Sequence, residues 1–453
     1  MNDSKIKIEV HLIQNFAPSN LNRDDTGQPK STTFGGFRRA RISSQCTKKS
    51  VRDLWRKGGM VAVGDRTKKL QELIGTLLEK DLEFTARVPE KSEMQLGVRV
   101  FTDAYYATSD KKKPDKTNVL VFISLEEVEV CAKKIKTLWF DAKIEDRKGK
   151  EKTVEGIVSI VNRRKKADST KKESKDSDEQ EQNNETQDTT VNEKDDVKKK
   201  DKKLTLKTDT KILDEIKQAA VSADIALFGR MLAEQPGLNT DGSCQVAHPI
   251  STHKVDMEMD FFTAVDDLNP EEETGAGMMG VVGFNSACYY RYALVDRDQL
   301  ARNLARKTKR DKGKWVEELI SEDYEEADKV IKAFLEAMVY AIPTGKQNSF
   351  AAQNLPSFGM FVRRSGGVPI SLANAFAKPV GPKTDDDDIV GLSVARLTKH
   401  WEALKKVYGK QGLKTVSCFH VEQKEGRLNG LKDSIKETVT EAIEAVMQGT
   451  DEK

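Results

Sequence analysis

Hydrophobic and polar residues alternate without a break near the start of the chain, in the stretch KIKIEVHLI at residues 5–13. A period of two is typical of a β-strand that buries one face. The predicted inward face is Ile6, Ile8, Val10 and Leu12, and the predicted outward face is Lys5, Lys7, Glu9 and His11. The pattern therefore predicts that a half-buried strand opens the fold.

Apolar residues recur at helical spacing in several later segments. Ser44 can cap the first of these helices, at about 45–57, and Gly58-Gly59 can end it. Further helices are predicted at 66–84, 126–144, 209–221, 322–342, 390–408 and 430–448. Short apolar runs predict strands at 39–43, 119–125, 223–228, 284–295 and 358–363, and an extended, hairpin-like region at 244–268.

The composition changes abruptly at residues 163–203. This tract holds thirteen Lys/Arg and twelve Asp/Glu, no aromatic residue, and only three apolar side chains. It cannot bury enough apolar surface to offset the entropy lost on ordering, so it is predicted to be a disordered, charged loop.

Strands at the N-terminus and in the second half of the chain are predicted to share one sheet, with residues 60–222 inserted between them. Strand–helix–strand spacing with antiparallel returns predicts an α+β fold of ferredoxin type, decorated by a mainly helical insertion. A length of 453 residues suits two or three domains.

Charge and special residues narrow the possible functions. The net charge is only +3, so any nucleic-acid surface must be a local patch. The start MNDSKIKIEV lacks an apolar run of signal-peptide length, and no window reaches the roughly 18 apolar residues of a membrane span. The five cysteines include no C-x-x-C pair, and the five histidines no H-E-x-x-H motif. We therefore expect a cytoplasmic protein with reduced thiols, no membrane partner, no cofactor and no metal site.

A dense basic run begins after Gly35-Gly36. Residues 38–57 hold eight cations against one acid, Asp53. Lys48 and Arg52 are four apart and share a helix face, which could follow a phosphate chain. The glycine pair has no Cβ and would allow backbone to approach a ligand closely. The alternative is an ordinary solvated helix face.

Sequence patterns for catalysis are weak. There is no P-loop and no G-x-S-x-G motif. The pairs Asp24-Asp25 and Asp266-Asp267 could bind Mg²⁺, but acid pairs at turns more often form the turn or pair with cations. Met231 and Phe262 could support or wedge a base, although each taken singly fits a protein core.

Several short strings occur in a fixed order along the chain: LNRDD, FGG-RR-R-ISSQ, DIALFGRM, AH-I-TH-VD, FTAVDDL, YYRYA, GKQ and LANAF. Together they resemble the CasC family, the backbone subunits of the type I-E CRISPR Cascade surveillance complex. The matching segments cover residues 5–57, 223–296 and 343–378.

The resemblance implies an RRM-like palm, a mainly helical fingers insertion and a thumb hairpin. On this chain the palm would take residues 1–59, 223–243 and, with the C-terminal helices, 284–453; the fingers would take 60–222 and the thumb 244–283. Members of this family are not nucleases. Copies stack along a guide crRNA, displace a base at regular intervals and hold the rest open for pairing with target DNA. Other copies of the chain, other Cascade subunits and, indirectly, a helicase-nuclease are the implied partners.

The resemblance also implies a set of RNA-binding residues. The palm residues expected to grip guide phosphates and sugars are Arg23, Lys30, Ser43, Gln45, Lys48, Lys49 and Arg52. Met231 would lie under a base, and Lys346 would add a phosphate contact. The thumb tip near the displaced base would be Phe261, Phe262, Thr263 and Val265. The family commonly has Trp where Phe261 stands, so stacking there is expected to differ.

Two alternatives stay open. The first is an RNA-guided ribonuclease, like the related type III backbone subunits that cut target RNA with a loop aspartate, for which Asp24 and Asp256 are the candidates here. The second is a general single-strand RNA-binding protein that works without Cascade.

Overall fold

A computed structural model describes residues 6–88, 90–140, 142–145, 151–154, 156–164, 206, 209–264, 278–382, 384, 387–410, 412–422, 428 and 430–448. Residues 157–164 are helical, so Arg163 and Arg164, the first two residues of the tract predicted to be disordered, lie in a helix. The rest of the predicted disordered tract lies outside the described residues, as do Val265 and the pair Asp266-Asp267, so the predictions made for them are left open.

The described residues form both helices and strands. The strands are β1 (Ile6–Ser19), β2 (Ser31–Phe34), β3 (Phe37–Ala40), β4 (Asp65–Thr67), β5 (Val121–Ile123), β6 (Ala142–Glu145), β7 (Glu151–Val154), β8 (Cys244–Val246), β9 (Ile250–Ser251), β10 (Glu258–Ala264), β11 (Met278–Asp296), β12 (Arg310–Asp311), β13 (Lys314–Trp315), β14 (Phe358–Ser365) and β15 (Leu413–His420). The first helix is α1 (Ser44–Gly58); the others are Leu70–Glu79, Leu82–Arg87, Lys91–Tyr105, Leu125–Leu138, 157–164, Thr210–Gln218, Ala223–Phe228, Arg297–Leu304, Ser321–Tyr340, Gln347–Phe350, Ile389–Tyr408 and Val439–Met447. Among the described residues, no helix has both the length and the apolarity needed to cross a membrane.

The contacts divide the chain into two compact units. Unit 1 takes Met1–Val63, Ala226–Phe228 and Gly242–Lys453, and unit 2 takes Gly64–Ile225 and Gly229–Asp241. The main sheet belongs to unit 1 and has the order β10-β11-β1-β14-β15, with β8 and β9 also paired to β11. Every one of these pairings is antiparallel. The α+β class is thereby confirmed, whereas the RRM-like arrangement stays a prediction.

The first strand is buried on both faces, which corrects the predicted half-buried strand. Glu9 and His11, expected to face solvent, have no exposed surface. The Glu9 Oε1 atom accepts hydrogen bonds from the Arg364 Nε atom at 2.8 Å and from the Ile370 backbone N–H at 2.9 Å. The His11 Nδ1 atom lies 2.9 Å from the Tyr290 hydroxyl. These polar side chains are buried because they have hydrogen-bond partners inside the fold. A prediction from hydropathy alone assigns such side chains to the surface.

Unit 2 is mainly helical around one apolar core. One sequence prediction fails at its boundary. Residues 223–228 form a short helix instead of a strand, since a continuous apolar run does not distinguish the two. The palm assignment that the resemblance implied for residues 229–241 stays a prediction, and these residues pack into unit 2. There the Arg230 Nη1 atom lies 2.7 Å from the Glu127 Oε2 atom in a fully buried ion pair, and Leu238 joins the helical core.

Candidate nucleic-acid interface

The N-terminus of helix α1 contacts the loop at residues 20–30. Ser43 is its N-cap, since its Oγ atom accepts a hydrogen bond from the Cys46 N–H at 3.2 Å. The Ser43 N–H in turn donates to the Asn22 Oδ1 atom at 2.8 Å. The first turn of α1 holds no acid, so the positive end of the helix dipole is uncompensated within its own turn. Ser43 is buried. These contacts assign it a capping role.

The basic residues of α1 divide between two faces. Lys48 and Arg52 do share a face, but it is the inward one, together with Val51 and Trp55. The Lys48 ammonium lies 5.2 Å from the centre of the Phe228 ring, and Arg52 is only 7% exposed. The single outward basic face predicted from the four-residue spacing is therefore absent. Helical spacing fixes which residues share a face, but the packing of the helix decides which face meets solvent.

The outward face of α1 carries Gln45 and Lys49. Gln45 is exposed, and the Lys49 side chain is 66% exposed. The Lys49 ammonium pairs with the Asp53 carboxylate one turn later. Such an exposed pair contributes little to stability, so Lys49 can exchange this carboxylate for another anion at small cost.

The loop at residues 20–30 is ordered by one aspartate. The Asp24 Oδ1 atom accepts hydrogen bonds from the Thr26 hydroxyl at 2.8 Å, the Gln28 N–H at 2.9 Å and the Thr26 N–H at 3.0 Å. The hydrogen bond from the Thr26 hydroxyl is the main cause that lowers the pKa of the Asp24 carboxyl. The same loop presents Arg23 to solvent and leaves Lys30 half-buried.

Close backbone contacts fasten this loop to two distant segments. The buried Asn20 Nδ2 atom donates to the Gly27 carbonyl at 3.0 Å and to the Gly283 carbonyl, on β11, at 2.9 Å. A Cβ atom on Gly345 would lie 2.3 Å from the Leu21 carbonyl oxygen, so only glycine allows this approach. The next residue, Lys346, is left-handed at φ 50°. Asn20 and Gly345 thus bring Lys346, the loop and the base of β11 together.

These segments enclose an open pocket within unit 1. Its walls come from the loop, from α1 and from residues 344–345, and two predicted residues, Arg23 and Lys49, contribute to it. The pocket also has acidic walls, from Asp24, Asp25 and Asp53. One of the two cations, Lys49, is paired with one of these carboxylates, that of Asp53.

Strands β10 and β11 pair as a hairpin within the region that the resemblance assigned to the thumb. Phe261 pairs directly with Val281, and Thr263 with Met279. This face of the hairpin is apolar and exposed: Phe261 is 63% exposed, and Met259, Met279 and Val281 are similarly uncovered. On the other face, Phe262 lies over Gly280, where a Cβ atom would be 2.5 Å from the ring.

Other predicted features lie elsewhere. Met231 belongs to unit 2 and is 85% exposed, so it is not part of a core. Gly35 does allow a close backbone approach, but to the chain itself: a Cβ atom there would lie 1.7 Å from the Ala377 carbonyl oxygen. Arg39, within the basic run, is fully buried and donates to the Ser251 carbonyl at 3.0 Å and the Phe376 carbonyl at 2.7 Å.

Two residues outside the predicted set join this surface. Arg41 follows β3, and its Nη1 atom lies 2.8 Å from the His248 Nδ1 atom. Arg41 belongs to the basic run and could have been included on that signal. His248 carries no local signal, because only the tertiary fold brings it there. Within the described ranges, no group of three or more His, Cys, Asp and Glu side chains could hold a metal ion.

Two solved structures share this α+β fold. A chain of one described as a CRISPR RNA-guided surveillance complex, pre-nicking, is 24% identical, with 97% of this chain and 99% of that chain covered and a TM-score of 0.67. A chain of another described as a CRISPR RNA-guided surveillance complex is 20% identical, with 98% and 100% covered and a TM-score of 0.61. The fold is therefore one found in chains of such complexes.

The family described as CT1975-like protein matches residues 8–445, so this chain belongs to that family. No curated protein matches it. These matches agree with the broader part of the resemblance drawn from the sequence, whereas type I-E and CasC stay predictions.

Proposed function

We propose that this chain is the non-catalytic backbone subunit of a type I-E CRISPR Cascade complex, a member of the CasC group. In this proposal unit 1 contains the RRM-like palm, and several copies assemble along one guide crRNA in the cytoplasm. Each copy grips guide phosphates, displaces a base at intervals and presents the remaining bases to target DNA. Other Cascade subunits join the assembly, and a separate helicase-nuclease cleaves the target.

The observation that carries this proposal is that hydrogen bonds and close backbone contacts hold the segments that carry the cations Arg23 and Lys346 beside the base of an exposed apolar hairpin. Asn20 bonds both the Arg23 loop and Gly283 on β11, and Gly345 brings Lys346 against the same loop. Lys and Arg side chains bind phosphates without reading sequence, and exposed apolar side chains can support a displaced base. One copy can thus bind the guide backbone through its cations and unstack a nearby guide base through its hairpin. Sequence specificity would come from base pairing by the guide.

The proposal of a non-catalytic role is supported by Asp24. The ribonuclease alternative needs a carboxylate free to act on RNA or a metal ion, whereas the Asp24 Oδ1 atom already accepts three hydrogen bonds that order its own loop. The other candidate, Asp256, is exposed and lies 3.3 Å from the Lys254 ammonium.

Purification from cells that transcribe a CRISPR array tests the proposal. We expect a guide RNA of uniform length to co-purify with several copies of the chain. Cellular RNA of mixed length would instead favour a general RNA-binding protein. Incubating the assembly with complementary RNA and Mg²⁺ should leave that RNA intact; cleavage that is lost in Asp24→Ala or Asp256→Ala would establish the ribonuclease instead.

A further inference from the structure

Three basic side chains meet beside the β2–β3 hairpin. The Arg41 N–H donates to the Lys30 carbonyl at 2.9 Å, which places these two residues opposite each other at the open end of the hairpin. The segment around Pro249 crosses there, since the Ile42 N–H donates to the Pro249 carbonyl at 3.0 Å. This crossing sets the His248 ring against the Arg41 guanidinium. We call Lys30, Arg41 and His248 the basic cluster.

Among the described residues, no carboxylate contacts the basic cluster, although Asp24 attracts Lys30 through space. None of its three side chains lies within ion-pair distance of an acid in the part of the chain that the structure describes. Lys30 and Arg41 are half-buried, and His248 is exposed. Like charges held together without a counter-ion in contact repel each other, and a bound anion reduces that repulsion.

The protonation state of His248 follows from its neighbours. Burial lowers the pKa of His248, and the charges of Arg41 and Lys30 lower it further. Among the described residues, Arg41 and Lys30 are the charged groups whose fields lower the pKa of this ring. The ring is therefore neutral at pH 7, and its Nδ1 atom accepts the hydrogen bond from Arg41. The proton of the neutral ring then lies on the Nε2 atom, which is left as a donor.

We propose that the basic cluster binds one phosphodiester group of the guide and that His248 takes up a proton when it does so. This inference rests on the proposed function. A phosphate supplies the missing negative charge, so the imidazolium becomes stable beside Lys30 and Arg41. Protonation of the Nδ1 atom also ends the bond from Arg41, whose fork of N–H donors then becomes free for the phosphate oxygens.

The direction of the pH dependence follows from linkage. Bound phosphate raises the pKa of His248, whereas the free protein keeps it below the ordinary value of about 6.5. Affinity for RNA should therefore rise as the pH falls from roughly 7.5 to roughly 5.5. Each occupied cluster should take up at most one proton.

Calorimetric titration of the full chain with a short single-stranded RNA tests this directly. At pH 6, titrations in two buffers of different ionisation enthalpy measure the protons taken up on binding. We expect uptake in the wild type and in His400→Gln, a matched control on helix Ile389–Tyr408, and none in His248→Gln. Arg41→Ala should weaken binding roughly tenfold and lower the slope of log affinity against log salt by about 0.7.

The outcomes separate this inference from the proposed function. RNA binding with equal proton uptake in the wild type and His248→Gln, or an unchanged salt slope in Arg41→Ala, would overturn the basic cluster and leave the proposed function standing. If the wild type binds no RNA, both fail. Because Arg41 and His248 lie at the surface, unchanged melting temperatures should show that the variants fold.

Discussion

At the scale of single residues, Asp24 orders the loop that we propose binds phosphate. Its Oδ1 atom holds three donors of the Arg23 loop in place. Asp24→Ala should release the loop and weaken RNA binding roughly tenfold, because Arg23 then loses its fixed position. Filter binding at fixed salt measures this.

The neighbour provides the control for this prediction. Asp25 lines the same pocket with the same charge, and Asp25→Ala should not weaken binding. Weaker binding in Asp25→Ala than in Asp24→Ala would mean that the loop geometry is unimportant.

A second residue makes the fold sensitive to acid. The His253 Nε2 atom accepts a hydrogen bond from the Cys288 N–H at 3.1 Å, and its Nδ1 atom lies 2.8 Å from the Lys254 carbonyl oxygen. The bond from Cys288 requires an unprotonated Nε2 atom and therefore the neutral ring, and burial lowers the pKa of His253. The unfolded chain thus binds more protons, so this contribution is complete above about pH 6.5 and is lost as the pH falls through the lowered pKa.

Substitution of His253 should therefore matter most at neutral pH. His253→Gln should reduce the free energy of unfolding by about 1 kcal/mol at pH 7.5, and the difference from the wild type should shrink at pH 5.5. Urea unfolding at the two pH values measures this. A difference that grows on acidification would contradict the assigned protonation state.

At the scale of elements, the hairpin of β10 and β11 has an apolar face that nothing covers among the described residues of the isolated chain. The paired residues Phe261 and Val281 lie at its centre. Replacing both, as Phe261→Ser with Val281→Thr, should keep the strand pairing but remove apolar contacts with a base or a neighbouring copy. We expect fewer copies bound per RNA, as measured by sedimentation velocity.

Binding of one copy should be nearly unchanged in that double variant, because the cations are intact. The matched control is Glu258→Gln, on the same hairpin but at the end away from the tip. Equal copy numbers in the wild type and the double variant would exclude the hairpin from assembly.

The elements also show what the sequence could and could not predict. Strong helical periodicity located α1 and the helices Ser321–Tyr340 and Ile389–Tyr408 to within about two residues. The predicted helix at 66–84 is two helices, because Asp81 caps a new one by accepting from the Phe84 N–H. Strand β15 was not predicted. Its pairing with β14, a tertiary contact with no local signature, makes it a strand.

At the scale of the whole molecule, the candidate site combines local and long-range information. The sequence pattern placed Arg23, Lys30 and Lys49 in one basic region, and the structure holds them near one another. The sequence pattern could not predict that Arg52 faces inward or that Arg39 is buried, since both depend on which side of an element is covered. Nor could it predict the contacts of Asn20 with Gly283 or of Gly345 with Leu21, which join residues hundreds of positions apart.

The spatial gathering of cations makes a prediction that depends on position and not on total charge. The triple variant Lys30→Ala, Lys49→Ala, Lys346→Ala removes three positive charges at the candidate interface. If each contacts one phosphate, the slope of log affinity against log salt should fall by about two. Titrations with single-stranded RNA at several salt concentrations measure this slope.

A second triple variant separates a site from a general charge effect. Lys80, Lys133 and Lys406 are exposed and lie outside the candidate interface, so replacing them by Ala changes the net charge by the same amount. If the RNA is gripped at the candidate interface, this variant should keep the wild-type slope. Equal losses in the two variants would mean that RNA is held by diffuse charge, and the fixed geometry of the Arg23 loop, α1 and Lys346 would then have no role in gripping it.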